Sequence, residues 1–194
     1  RLRVVIGVGA SGRVYEAESS VVRRWLEPPC SLDGWRIDVA NMTGRLRDVD
    51  LLPEVSRGVR AAAVAARPGA LVVAEHAYDA RADLRAGGWH GTMNYPGFTR
   101  PVWTWLRGDD LPAEPAGGFF GLPVGVPRLS GSSVVESMRR FRAGIAWQSV
   151  LHSWVLLDSH DTARFRTIAG SRARQLVGVG LQMPTPGVPM VFAG

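Results

Sequence analysis

Three apolar runs in this chain each end in acid. They are Gly34-Trp35-Arg36-Ile37-Asp38, Leu71-Val72-Val73-Ala74-Glu75 and Val155-Leu156-Leu157-Asp158-Ser159-His160-Asp161. Short apolar runs bounded by polar residues and separated by helical patterns read as buried parallel strands. In a (β/α) barrel the C-terminal ends of such strands form one face, and catalytic groups reach it from several strands. The expected class is therefore α/β, with three carboxylates brought to one rim.

In an extended strand, successive side chains point to opposite faces. Arg36 and Asp38 then share a face, while Trp35, Ile37 and Val39 take the other. A cation two residues before a carboxylate keeps that acid ionised. Asp38 thus has the makings of a nucleophile, and equally of one half of a structural ion pair. Glu75 leaves a run with no basic neighbour, so burial is expected to raise its pKa and hold a proton on it. The spacing 75 − 38 = 37 residues suits one βα unit of roughly 30 or more. The spacing 161 − 75 = 86 residues has room for two such units and a long loop. Glycoside cleavage needs a proton donor, a nucleophile and charge stabilisation around an oxocarbenium-like centre, and three acids on one face suit it.

The remaining elements follow from pattern. Glu18 to Glu27 reads as a helix stopped by Pro28 and Pro29, and Glu54 to Ala66 as another, with Pro53 at its permitted start. Strands are expected over Gly34 to Val39, Leu71 to Ala74, Gly91 to Tyr95, Ser153 to Leu157 and Val188 to Phe192. Ala113 to Ser130, rich in Gly and Pro, reads as a loop. Ser133-Val134-Val135-Glu136 has the form of a capping box opening a helix with Val134, Met138 and Phe141 inward and Arg139, Arg140 and Arg142 mainly outward. Gly170 to Met183 holds the next helix.

GWRIDVAN, VVAEHAYD and LLDSHDTARF resemble the second, third and fourth signature regions of glycoside hydrolase family 13, the α-amylase superfamily. GGWHGTMNYPGFTRPVWTWL resembles its neopullulanase, cyclomaltodextrinase and maltodextrin-glucosidase branch, and GLQMPTPGVPMVFAG the segment through that barrel's last strand. The resemblance spans residues 15–194; residues 1–14 match poorly. It implies a partial (β/α)8 TIM barrel, roughly strands four to eight with their helices. It implies retaining hydrolysis of α-1,4 and, by extension, α-1,6 glucosidic bonds in maltodextrins. A glucosyltransferase on the same scaffold and an inactive fragment are the alternatives. By the same resemblance Asp38 is the nucleophile, Glu75 the general acid/base and Asp161 the acid that favours the distorted sugar. Arg36 and His160 then bind the sugar hydroxyls and orient the nucleophile. The family's first signature region and first strands have no counterpart here. A whole barrel typically needs ~250 residues. The 194-residue chain opens on Arg1, so a fragment with unpaired strand edges is expected.

Composition narrows the partners. The formal charge is +6 and no lysine occurs, so all 23 basic residues are arginine. They are scattered among acids, and no nucleic-acid-binding signature accompanies them. An α-glucan oligosaccharide is the expected partner, with no nucleic acid, no membrane, no cofactor and no metal; the oligomeric state is open. Cys30, the one cysteine, permits a cytoplasmic location. Gly7-Val8-Gly9-Ala10-Ser11-Gly12 mimics a dinucleotide-binding turn, but Asp38 lies 38 − 12 = 26 residues on, beyond the usual ~20. His76, His90 and His152 are candidates for packing, with His76 also able to line a pocket. Trp89, Tyr95, Phe98, Trp103 and Trp105 offer either a stacking surface for sugar rings or core. Asp109 and Asp110 read as a solvated turn rather than a calcium site.

Overall fold

The computed structural model describes residues 12–111 and 125–192. All of the glycine fingerprint but Gly12, and most of the Ala113 to Ser130 loop, lie outside them. The chain forms two compact units, Arg1–His76 with Ala80–Thr92, and Ala77–Asp79 with Met93–Gly194.

In the first unit, helix α1 (Val21–Leu26) is followed by strand β1 (Gly34–Ile37) and a small antiparallel hairpin, β2 (Arg45–Leu46) with β3 (Val49–Asp50). Then come α2 (Leu52–Ala66), β4 (Leu71–Ala74), the short α3 (Arg81–Arg85) and β5 (Gly91–Thr92). The strands β1, β4 and β5 make a parallel sheet in that order, with Gly34 facing Leu71 and Ile37 facing Ala74. One stripe of α2, carrying Leu52, Val55, Val59, Ala62 and Ala63, is buried, as are Val72, Val73 and Ala74 of β4. Burying a Val or Leu side chain stabilises by about 1.5–3 kcal/mol, and here that burial fastens helix to sheet. The expected Leu71–Ala74 strand is borne out residue for residue, and α2 begins two residues before Glu54. In α1, Val22 and Leu26 are buried whereas Val21 and Trp25 are exposed, because six residues present only one narrow inner face.

The first strand is shorter than Gly34 to Val39. It stops at Ile37 because Val39 takes a left-handed backbone (φ 44°, ψ 43°) and turns the chain. Gly91 to Tyr95 likewise shrinks to Gly91–Thr92, and Tyr95 belongs to a π-helical turn, Tyr95–Thr99.

The second unit continues from that turn into α4 (Arg100–Leu106), then α5 (Gly131–Ala143), α6 (Trp147–His152), β6 (Trp154–Leu156), α7 (Phe165–Ala169), α8 (Arg172–Gln182) and β7 (Val188–Met190). β6 and β7 pair in parallel, and the buried Gln182 amide clips them by donating to Val155 O and Met190 O at 2.8 and 2.7 Å. Its core gathers Phe98, Val102, Trp103, Val155, Phe165 and Ile168. The helix expected to open at Ser133 starts earlier. Ser130 is its cap, accepting the Ser133 N–H at 3.2 Å, and Glu136 instead pairs with Arg140 one turn on. Val134 is buried, with Met138 and Phe141 partly so, and Arg139, Arg140 and Arg142 are exposed as expected.

The aromatic cluster is core rather than a platform for sugars. Trp89, Tyr95, Phe98 and Trp103 are fully or almost fully buried, and Trp105 alone of the five is exposed. The Trp103 indole N–H donates to Leu157 O at 2.7 Å, which satisfies its polar edge inside the core. His90 is a packing residue whose Nδ1 accepts the Val72 N–H at 3.0 Å. Asp109 is an exposed turn residue paired with Arg128 and Arg174 at 2.7 and 2.8 Å, and those two guanidinium groups hold its carboxyl below the ordinary value.

Candidate active site

The register of the first sheet brings two acids together. Ile37 is opposite Ala74, so the residues that follow, Asp38 and Glu75, leave adjacent parallel strands side by side. Arg36 serves both. Its Nη1 donates to Asp38 Oδ1 at 2.6 Å, and its Nη2 stands 3.0 Å from Glu75 Oε1. A planar guanidinium offers several N–H groups in a fixed fork, which is what two carboxylates on neighbouring strands require. The Arg36–Asp38 pair expected from strand alternation is present although Asp38 lies just beyond the regular strand.

Backbone groups complete the cluster. The Val39 N–H donates to Glu75 Oε2 at 2.7 Å, the Ala40 N–H to Glu75 O at 3.0 Å, and the Glu75 N–H to Ile37 O at 2.9 Å. Val39 is β-branched and left-handed, a combination that stores roughly 1–3 kcal/mol of strain. That conformation turns the Val39 amide toward the Glu75 carboxylate.

The two acids sit in different surroundings. The Asp38 side chain is 73% exposed and that of Glu75 only 12%. Burial raises the Glu75 pKa above its ordinary 4.5. The Val39 amide and the Arg36 cation pull it down, while the charge of Asp38 and a hydrogen bond shared with it push it up. The net direction is upward. Glu75 does have a basic neighbour, contrary to the reading from its own strand, because Arg36 arrives from across the ladder. An exposed carboxylate beside a half-buried one with a raised pKa is the unlike pairing that acid–base chemistry can use.

His160 and Asp161 lie in the second unit, on the loop after β6. They pair at 3.1 Å, both exposed. Ser159, buried, shapes this loop: its Oγ accepts the Tyr95 O–H at 2.9 Å and the Asp161 N–H at 3.2 Å. Asp158 Oδ2 accepts the Phe165 N–H at 2.6 Å, and the Arg164 guanidinium lies 4.2 Å from the Phe192 ring centre. Thus Arg36, Asp38 and Glu75 come together in one unit, and His160 and Asp161 in the other. Sequence reading missed the Val39 amide, which no residue type announces. It also left open His76, whose Nε2–H donates to Asp83 Oδ2 at 3.1 Å in a buried pair. Among the described residues no group of three or more His, Cys, Asp or Glu is placed to hold a metal ion. Nor is any described helix long and apolar enough to cross a membrane.

Two carboxylates of unlike environment, gripped by one arginine at the C-terminal ends of adjacent parallel strands, are the kind of site a glycoside-cleaving (β/α) protein uses. No family model matches the chain. It is 31% identical over 175 residues, 90% of its length, to neopullulanase 2 of Thermoactinomyces vulgaris. It is 29% identical over 175 residues, again 90% of its length, to a cyclomaltodextrinase of Thermoanaerobacter pseudethanolicus. The chain spans about a quarter of the length of these curated relatives, 25% and 26%. Among solved structures, the debranching enzyme from Nostoc punctiforme superposes with a TM-score of 0.73 at 27% identity, covering 89% of this chain and 33% of that one. These likenesses bear out the resemblance to glycoside hydrolase family 13 in its neopullulanase and cyclomaltodextrinase branch, whose members are TIM-barrel α-glucan hydrolases.

Proposed function

We propose that residues 15–194 are the second half of the catalytic barrel, about strands four to eight, of a longer retaining glycoside hydrolase acting on α-1,4 and, by extension, α-1,6 bonds of maltodextrins. The observation that carries this reading is the single guanidinium of Arg36 on both Asp38 and Glu75, with the pKa of Glu75 raised. Protonated Glu75 gives its proton to the glycosidic oxygen as the C1–O bond breaks, and an Asp38 oxygen forms a bond to C1. Water then donates a proton back to Glu75 and its oxygen displaces Asp38 from C1, so configuration is retained. Retaining pairs stand about 5–5.5 Å apart. In this site Arg36 bridges the two carboxyl groups, 2.6 Å from Asp38 Oδ1 and 3.0 Å from Glu75 Oε1, and the Asp38 side chain is exposed. Asp161 takes the part of the acid that favours the distorted sugar, and Arg36 and His160 bind hydroxyls. The half-barrel by itself is inactive or nearly so, because the family's first signature region is absent from it. The lone Cys30, exposed and free, accords with a reducing cytoplasm.

The test is Asp38→Asn in the full-length protein assayed on maltotriose. Loss of nearly all hydrolysis is expected, and substantial turnover surviving the change rejects the assignment. Longer oligomers among the products would favour the glucosyltransferase alternative on the same site.

A further inference from the structure

A second charged cluster lies behind the carboxylate pair. Asp83, on α3, and His76, next to Glu75, have side chains 8% and 5% exposed. The two oxygens of Asp83 are divided: Oδ2 accepts from His76 and Oδ1 accepts from Arg45 Nη2 at 3.2 Å. Arg45, at the start of the β2–β3 hairpin, uses its other edges as well. Its Nη1 donates to Asn41 O at 2.9 Å and its Nε stands 3.1 Å from Asp50 Oδ2. Asn41 lies in the turn that begins at Asp38, and His76 follows Glu75. The turn and β4 are joined a second time by the Val39 and Ala40 amides on Glu75. The links close a ring: Glu75, Val39, Asn41, Arg45, Asp83, His76.

Buried charges of this kind are a poor way to hold a fold, since apolar residues of similar volume do it at least as well. A ring that encloses both acid-bearing turns has a use beyond stability. We infer that Arg45, Asp83 and His76 are positioning residues that fix Glu75 against the turn carrying Asp38, so that its proton is aimed at the leaving oxygen. None of the three touches the reacting atoms. The inference rests on the reading of Glu75 as the proton donor, and it adds the device that aims it.

The experiment compares two leaving groups in the full-length protein. Maltotriose needs a proton on its leaving oxygen, whereas maltosyl fluoride expels fluoride with little help. A misplacement of about 1 Å in a catalytic group costs on the order of 10²-fold. Asp83→Asn is therefore expected to lower kcat/KM, which reads only the step that forms the glycosyl-enzyme, by about 10²-fold on maltotriose and by less than about tenfold on maltosyl fluoride. Arg45→Lys keeps the charge but not the fork and should show the same skew; it carries the test where Asp83→Asn fails to fold. Equal losses on both substrates, or no loss on either, overturn the proposal. Glu75→Gln separates this from the parent reading. If it too spares only the fluoride, the reading of Glu75 stands whatever Asp83→Asn does; if it hydrolyses maltotriose normally, Glu75 is not the donor and both readings fall.

Discussion

Gly34→Ala is the sharpest probe of how the sheet places the two acids. Gly34 sits opposite Leu71 where β1 and β4 begin to pair. A methyl group on Gly34 would overlap the Leu71 carbonyl oxygen and stand 3.0 Å from both its carbonyl carbon and its amide nitrogen. These are backbone atoms, so no side chain can rotate away and the strands themselves must part. Overpacking of this kind costs about 1–3 kcal/mol. Parting the strands also weakens the Leu71 N–H bond to Asp33 O, 3.1 Å long, for another ~1 kcal/mol. Alanine restricts the unfolded chain and returns about 0.4–1 kcal/mol. The net loss is about 1–3.5 kcal/mol, concentrated on this ladder. Amide hydrogen exchange reads it locally, at Leu71 and Glu75, whose N–H groups donate to Asp33 O and Ile37 O. At tenfold per 1.4 kcal/mol, their protection should fall by roughly 5- to 300-fold. Exchange unchanged at both amides would refute the claim that bare backbone is required at this position, and with it the account of how β1 is seated.

Two further outcomes follow from the same chemistry. Glu75 has a folded pKa raised above its unfolded one, so the folded state binds the extra proton, and stability falls as pH rises from the ordinary 4.5 through the raised value. Glu75→Gln, a permanent stand-in for the protonated acid, should therefore be more stable than the parent at neutral pH, with the gap closing below the ordinary value; urea unfolding at a series of pH values checks it, and a gap that widens in acid contradicts the sign. Gly180 lies within α8 with open space where a methyl would go, so Gly180→Ala should stabilise the second unit by about 0.5–1 kcal/mol in thermal unfolding.

The legible parts of the sequence were those where one physical signal dominates. Leu71–Ala74 is apolar on both faces because a parallel strand is buried on both, and its limits were read correctly. The Arg36–Asp38 pair follows from alternation alone. What linear spacing cannot carry is the partner across a ladder. Arg36 reaches Glu75 only through strand register, so the cation beside that acid shows only in the pairing of β1 with β4. The Arg45–Asp83 link spans 38 residues and was equally hidden. Short helices failed for another reason. α6 and α7 have six and five residues, too few to establish a period of 3.6. Val39 closes the strand expected over Gly34 to Val39, yet it takes a left-handed turn in which its amide binds Glu75.

One guanidinium shared by two acids also sets how the site answers to pH. Arg36 holds Asp38 with one nitrogen and faces Glu75 with the other, so a proton arriving at either acid changes the charge that both feel. The two carboxylates should take up protons in steps that belong to the pair rather than to a single side chain. Lysine at position 36, a point charge with no fork, would serve one acid at a time and leave the two carboxylates coupled only through their own charges.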